Sequence, residues 1–152
     1  MAVKVLELHH HGIRIGPSPE AVATARKFYG DVLGLDHDPG RPTIPTIDGY
    51  WMDVGGTAQI HLMGVDGLSK FAKGPGQDPS HPHVALAVAD IQETKKELER
   101  LGVEYWVAES VVGPQSQQIF MKDPFGNMIE LHQIDTCRCV TSRRSAGGAR
   151  MA

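Results

Sequence analysis

The chain has 152 residues, 41% of them apolar and 22% charged, with a net charge of −3 at pH 7. This is the make-up of one globular domain or of two small fused halves, and it gives no electrostatic reason to expect nucleic acid or an anionic membrane as partner. No apolar run approaches the ~20 residues that span a bilayer, and the opening MAVKVLELHHH lacks the apolar stretch of a secretory signal, so a cytoplasmic protein is expected.

Residues 5–15 alternate, with Val5, Leu8, Ile13 and Ile15 among polar neighbours, and read as a strand. Ser18 is a good N-cap and Pro19 suits the first helical position, where no N–H is needed. The helix that follows runs to about residue 33, with Val22, Ala25, Tyr29 and Val32 on one stripe, and Gly34 closes it. Residues 35–38 read as a short strand and 39–45 as a Pro/Gly loop. Strands 50–54 and 58–63 form a hairpin around Gly55-Gly56. Residues 64–82, rich in glycine and proline, are a linker.

The second half repeats this order. Strand 83–88 leads to Asp90, an N-cap with Glu93 three residues on. A helix runs to Leu101 with Ile91, Leu98 and Leu101 on its buried side, and Gly102 ends it. A short strand over 103–106 precedes strands 118–122 and 128–132, which flank the turn Asp123-Pro124-Phe125-Gly126-Asn127. Two βαβββ modules are therefore expected, module 1 over about 5–63 and module 2 over about 83–133, within one α+β domain spanning 1–134. Residues 135–152 lose all periodicity and read as a polar basic tail, in which Cys137 and Cys139 are expected to be free surface thiols.

When the halves are aligned, their polar exceptions coincide. His10 lies over His83 on the first strands, and His61 over Glu130 on the last. Paired about a pseudo-twofold axis, the four would converge. Three imidazoles, His10, His61 and His83, with the Glu130 carboxylate suit one divalent metal ion (Ni, Zn, Co, Mn or Fe). Buried without a partner, such side chains would be costly. Gly12 and Ala85, beside the ligands, leave space above the metal. His9 and His11 alternate to the opposite face and are expected to be structural or exposed, whereas His132 shares the face of Glu130 and can support it.

The stretches His10-x-x-Ile-x-Ile, Phe28-Tyr-Gly-Asp-Val-Leu-Gly-Leu35, Gln59-Ile-His-Leu, His83-Val-Ala-Leu-Ala-Val and Asp123-Pro-Phe-Gly-Asn-Met-Ile-Glu130-Leu, in this order and spacing, resemble the vicinal oxygen chelate superfamily. This is the group of glyoxalase I, bleomycin-resistance proteins and extradiol dioxygenases, and the resemblance covers about residues 5–133. It implies a curved mixed sheet around the metal site, a small-molecule substrate and a homodimer. The open edges of two small sheets favour pairing as well.

The resemblance implies a glyoxalase I-like lyase or isomerase. The metal would act as Lewis acid, stabilising an enediolate from a substrate with two neighbouring oxygens, with Glu130 as base. His61 stands where glyoxalase I patterns commonly carry a carboxylate, so it would have to act as the second catalytic group. The alternative is an Fe(II) extradiol dioxygenase of the catechol type using His10, His83 and Glu130. An antibiotic-resistance binding protein or a metal-dependent transferase is a further one. Substrate contacts are expected from Arg14, on the ligand face, and from Trp51, Phe71 and Trp106 in the pocket walls.

Overall fold

The computed structural model describes residues 2–112 and 116–144. Seven strands form one mixed sheet in the order β2-β3-β1-β4-β7-β6-β5. They are β1 Val5–Arg14, β2 Asp48–Val54, β3 Ala58–Gly64, β4 His83–Val88, β5 Trp106–Glu109, β6 Gln117–Lys122 and β7 Met128–Gln133. The halves meet where β1 and β4 pair antiparallel. In each half the first strand pairs parallel with the last, β1 with β3 and β4 with β7. A parallel neighbour needs a long crossover. Helices α1, Pro19–Lys27, and α2, Ile91–Arg100, lie within those crossovers.

Local chemistry sets the helix boundaries. Ser18 Oγ accepts from the Ala21 N–H, with Pro19 at the first helical position. Asp90 Oδ1 accepts from the N–H groups of Gln92 and Glu93. Gly102, at φ 70°, closes α2 through the Val103 N–H to Leu98 carbonyl bond of 2.9 Å, a left-handed position suited to glycine.

Four expectations change. The first helix ends at Lys27 and passes into a π-helical turn, Phe28–Val32. Its wider i→i+5 bonding moves the apolar stripe, so Val32 is 66% exposed. Residues 35–38 form no strand, only a bridge from His37 to Met52. The strand expected over 103–106 lies instead at Trp106–Glu109, because residues up to 103 serve the helix cap. Leu101 is exposed, being the C-cap of α2, while Ile91, Thr94 and Leu98 are buried.

Residues 135–144 do not behave as a loose tail. They fold back over the first half and end in a 3-10 turn, Thr141–Arg143. Arg138 reaches across the chain to Asp38, donating from Nε at 2.8 Å and from Nη2 at 2.9 Å. A side chain on Gly40 would collide with this guanidinium. Arg144 pairs with Asp53, and Thr141 N–H bonds the Gly56 carbonyl at 2.9 Å. Cys139 and Val140 are buried, which corrects the expectation of surface thiols; residues 145–152 of the expected tail lie outside the described residues. Arg138→Ala is expected to destabilise the protein by about 3 kcal/mol, the low end for orphaning a buried carboxylate because Arg144 stays 3.5 Å from Asp38. The same variant should label faster at Cys139 with a thiol reagent; an unchanged rate would mean that the pair does not hold the segment down.

Candidate metal centre

Strand register assembles the centre. Gly12 of β1 pairs with His61 of β3 on one side and His83 of β4 on the other. His10, two residues earlier on the same face, pairs with Gln59 and Ala85, and Ala85 pairs with Glu130 of β7. Gly12 opposite His61 in one half thus corresponds to Ala85 opposite Glu130 in the other. Gly12 is required sterically. A Cβ built on Gly12 would stand 2.7 Å from His83 Cε1.

His10, His83 and Glu130 turn their donors toward one point. His10 Nε2 is 3.5 Å and His83 Nε2 3.4 Å from Glu130 Oε1, and the two nitrogens are 3.4 Å apart. Donors at metal–ligand distances of 2.0–2.2 Å stand about 3.0 Å apart around an octahedral ion and about 3.4 Å apart around a tetrahedral one, so this set fits a cation with little movement. His83 Nδ1–H donates to the His81 carbonyl at 2.6 Å, which leaves Nε2 with the lone pair a metal needs. All three side chains are 5% exposed or less. Burial alone would raise the Glu130 pKa, but His10, His132 and His83 outweigh it and hold the carboxyl well below its usual range. Burial pulls His10 down, toward the neutral ligand form.

His61 stands slightly apart. The Gln59 amide nitrogen donates to Asp38 at 3.2 Å and Asp53 at 3.0 Å, which fixes its oxygen on His61 Nε2 at 2.8 Å. Nε2 therefore carries the proton, and only Nδ1 is left as a ligand atom. The ring is sandwiched between Trp51, at 4.4 Å and 9°, and His10, at 3.7 Å and 17°. Its donor groups with those of His10 and Cys139, not with the His10–His83–Glu130 set. Burial holds its pKa well down, so the ring is neutral.

His9 corrects the alternation argument. The register of β1 against β4 slips between Leu8 and His10, a bulge that turns His9 onto the face of His10. His9 is 1% exposed, and its Nδ1 lies 2.6 Å from His132 Nε2. The other His132 nitrogen, Nδ1–H, donates to Glu130 Oε2 at 2.8 Å. Burial opposes protonation of His132, but its hydrogen bonds to Cys137 and Glu130 outweigh this and push its pKa up to about 9. His11 is exposed.

The pocket above these residues has largely apolar walls, Ile44, Ile47, Trp51, Met63, Val112 and Phe120 among them. Trp51 thus lines it, as read from the sequence. Phe71 packs beside Ile47 and Met63, and Trp106 stacks behind Phe120 at 5.9 Å; neither lines this pocket. Arg14 is engaged elsewhere, donating to the Ser80 carbonyl at 3.0 Å and to Ser80 Oγ at 2.8 Å. Arg41 and Arg138 line the pocket instead, and Arg41 Nε has no hydrogen-bond partner among the described residues. Gln118 is a second addition, its Nε2 3.3 Å from Glu130 Oε1. Only its place two residues before Phe120, opposite His132, marks it, and no ligand-type chemistry does.

Gly12→Ala should move the His83 ring and weaken metal binding by about 10- to 100-fold, the usual cost of disturbing a ligand's support. Titration with a metal buffer would measure this, and an unchanged affinity would show that the ring is not set by the gap at Gly12.

The profile of the Glyoxalase/Bleomycin resistance protein/Dioxygenase superfamily matches residues 19–131. Glyoxylase I 4 of Arabidopsis thaliana is 30% identical over 119 residues, which is 76% of this chain and 66% of that protein, so the chain spans just under two thirds of that relative. Among solved structures, methylmalonyl-CoA epimerase from Mycobacterium tuberculosis superposes with a TM-score of 0.64 at 24% identity, over 88% of this chain and 91% of that one. The 2,3-dioxygenase LapB from Pseudomonas sp. KL28 does so at 0.58 and 16%, over 88% of this chain and 42% of that one. At such identities these are likenesses of fold. With the profile covering most of a chain whose halves repeat in sequence and in register, the protein belongs to the Glyoxalase/Bleomycin resistance protein/Dioxygenase superfamily.

Proposed function

We propose that the protein is a divalent-metal enzyme of the glyoxalase I-like type, a lyase or isomerase that moves a proton on a small substrate with two neighbouring oxygens. His10, His83 and Glu130 would hold the metal. The observation that carries this reading is the convergence of their three donor atoms, 3.4–3.5 Å apart, on the floor of a pocket with apolar walls. Bound there, the metal supplies Lewis acidity toward the substrate's oxygens.

The chain's own groups supply the rest. Glu130 would take the proton on Oε1, which leaves the metal to do so, while His132 holds Oε2 in place. The apolar walls keep water from the site, which strengthens every charge inside it. Arg41 places a guanidinium charge in the pocket wall, in keeping with an anionic group on the substrate. β5 stands at an edge of the sheet, in keeping with a homodimer, whereas β2 is bonded along its outer side by residues 36–38. No helix among the described residues is long and apolar enough to cross a membrane.

A second reading has one observation in its favour. Two histidines and one carboxylate, with His61 held off by Gln59, are the donor set of non-haem Fe(II) oxygenases, and this favours extradiol cleavage of a catechol. Elemental analysis of natively expressed protein beside His83→Ala separates the two. Nickel, zinc, cobalt or manganese near one per chain, absent from the variant, supports proton transfer on hemithioacetals or acyl-thioester epimers. Iron as the dominant metal, with oxygen uptake on catechols, replaces it by ring cleavage. No metal in either protein sinks both.

His61→Ala gives an independent check on the ligand set. Metal content should stay near that of the parent if three residues suffice; its loss would make His61 the fourth ligand.

A further inference from the structure

A second cluster of ligand-type side chains lies beside the first and shares no residue with the His10–His83–Glu130 set. His9 Nδ1, His132 Nε2 and Cys137 Sγ all lie within 4.8 Å of one another. The His9 and His132 nitrogens are 2.6 Å apart, and the sulfur is 2.9 Å from His9 Nδ1. Both imidazoles are 1% exposed or less, and Cys137 is half-buried. Two strands and the folded-back segment supply them, from β1, β7 and residues 135–144. The site therefore closes only when that segment is docked.

His132 Nδ1–H donates to Glu130 Oε2, which turns Nε2 toward His9. His9 Nδ1 faces both that nitrogen and the sulfur, so three ligand-type atoms crowd one point. A cation there would bind all three in their deprotonated forms. Carboxylate, imidazole and metal in a row is also the arrangement by which proteins orient a metal-binding histidine, and here Glu130 would be the orienting carboxylate.

We infer that His9, His132 and Cys137 form a second metal site, for a borderline-soft divalent cation such as zinc. Two imidazoles and a thiolate suit zinc above magnesium, calcium or manganese. Around zinc, with bonds of 2.0–2.1 Å to nitrogen and 2.3 Å to sulfur, tetrahedral donors stand about 3.4–3.6 Å apart. The cluster must open by somewhat under ~1 Å, which side-chain torsions allow. The fourth position is left to water or another small ligand. Through His132 the cation would fix Glu130 Oε2, so the two centres share one carboxylate.

Cobalt(II) titration of the metal-free full chain tests this. The wild-type protein should take up about two equivalents, one of them with the near-ultraviolet thiolate-to-cobalt charge-transfer band and strong visible absorption of a tetrahedral site. Cys137→Ser should lose the charge-transfer band and bind one equivalent, whereas Cys139→Ser should keep both. His83→Ala should lose the other equivalent and retain the band, so failure of the catalytic-metal reading stays distinguishable from failure of this one. No thiolate band in the wild-type protein overturns the site, and a band that survives Cys137→Ser but vanishes in Cys139→Ser assigns the thiolate wrongly. Either result would leave the cluster a hydrogen-bonded one.

Discussion

Replacing Glu130 by glutamine is expected to lower turnover by about 100- to 10,000-fold, the range over which a positioned general base contributes. The substitution keeps the shape of the side chain, and with it the packing of a residue that is 2% exposed. It removes the charge that His10, His83 and His132 all face, at 3.5, 3.4 and 2.8 Å. Metal affinity should fall with activity. Assay at saturating metal separates the two effects: activity that stays low once the site is filled is the loss of the base, and activity restored by metal alone would mean that Glu130 is only a ligand.

Phe120→Ala should give the largest loss of stability, about 3–5 kcal/mol, by lost transfer energy and a cavity. Phe120 has no exposed surface, stands edge-on to His83 with ring centroids 5.6 Å apart, and stacks on Trp106. It joins Trp51, Val111, Val112 and Met128 in one cluster under the pocket. Against a total of about 5–15 kcal/mol for an ordinary domain, that loss is a large share. Urea melts would measure it. A change below about 1 kcal/mol, within reach of simple repacking, would mean that the cluster collapses around the gap and does not hold the floor of the site.

The meeting of His10, His83 and Glu130 was legible because the chain repeats itself. Alternation and helix caps place the strands, and two halves with the same order put like residues at like register. Gly12 opposite His61 and Ala85 opposite Glu130 are that symmetry in the finished sheet. The substrate contacts were less legible. An arginine on the ligand face such as Arg14 looks suited to a substrate, yet whether it meets one depends on Ser80, which approaches from the linker. Arg41 comes from a loop without periodicity, and its place in the wall follows from how that loop closes.

Period-two patterning determined the fold class and the shared face of His10, His83 and Glu130, since side-chain direction along a strand is a local property. Three features were decided by tertiary structure alone. The slip of β1 against β4 turns His9 inward, and a bulge exists only relative to a partner strand. The proton on His61 is placed by Gln59, whose amide is in turn fixed by Asp38 and Asp53, a chain of bonds between distant segments. The ion pair from Arg138 to Asp38 brings Cys137 and Cys139 onto the histidines. No periodicity marks such a segment, because what holds it is a buried charge a hundred residues away.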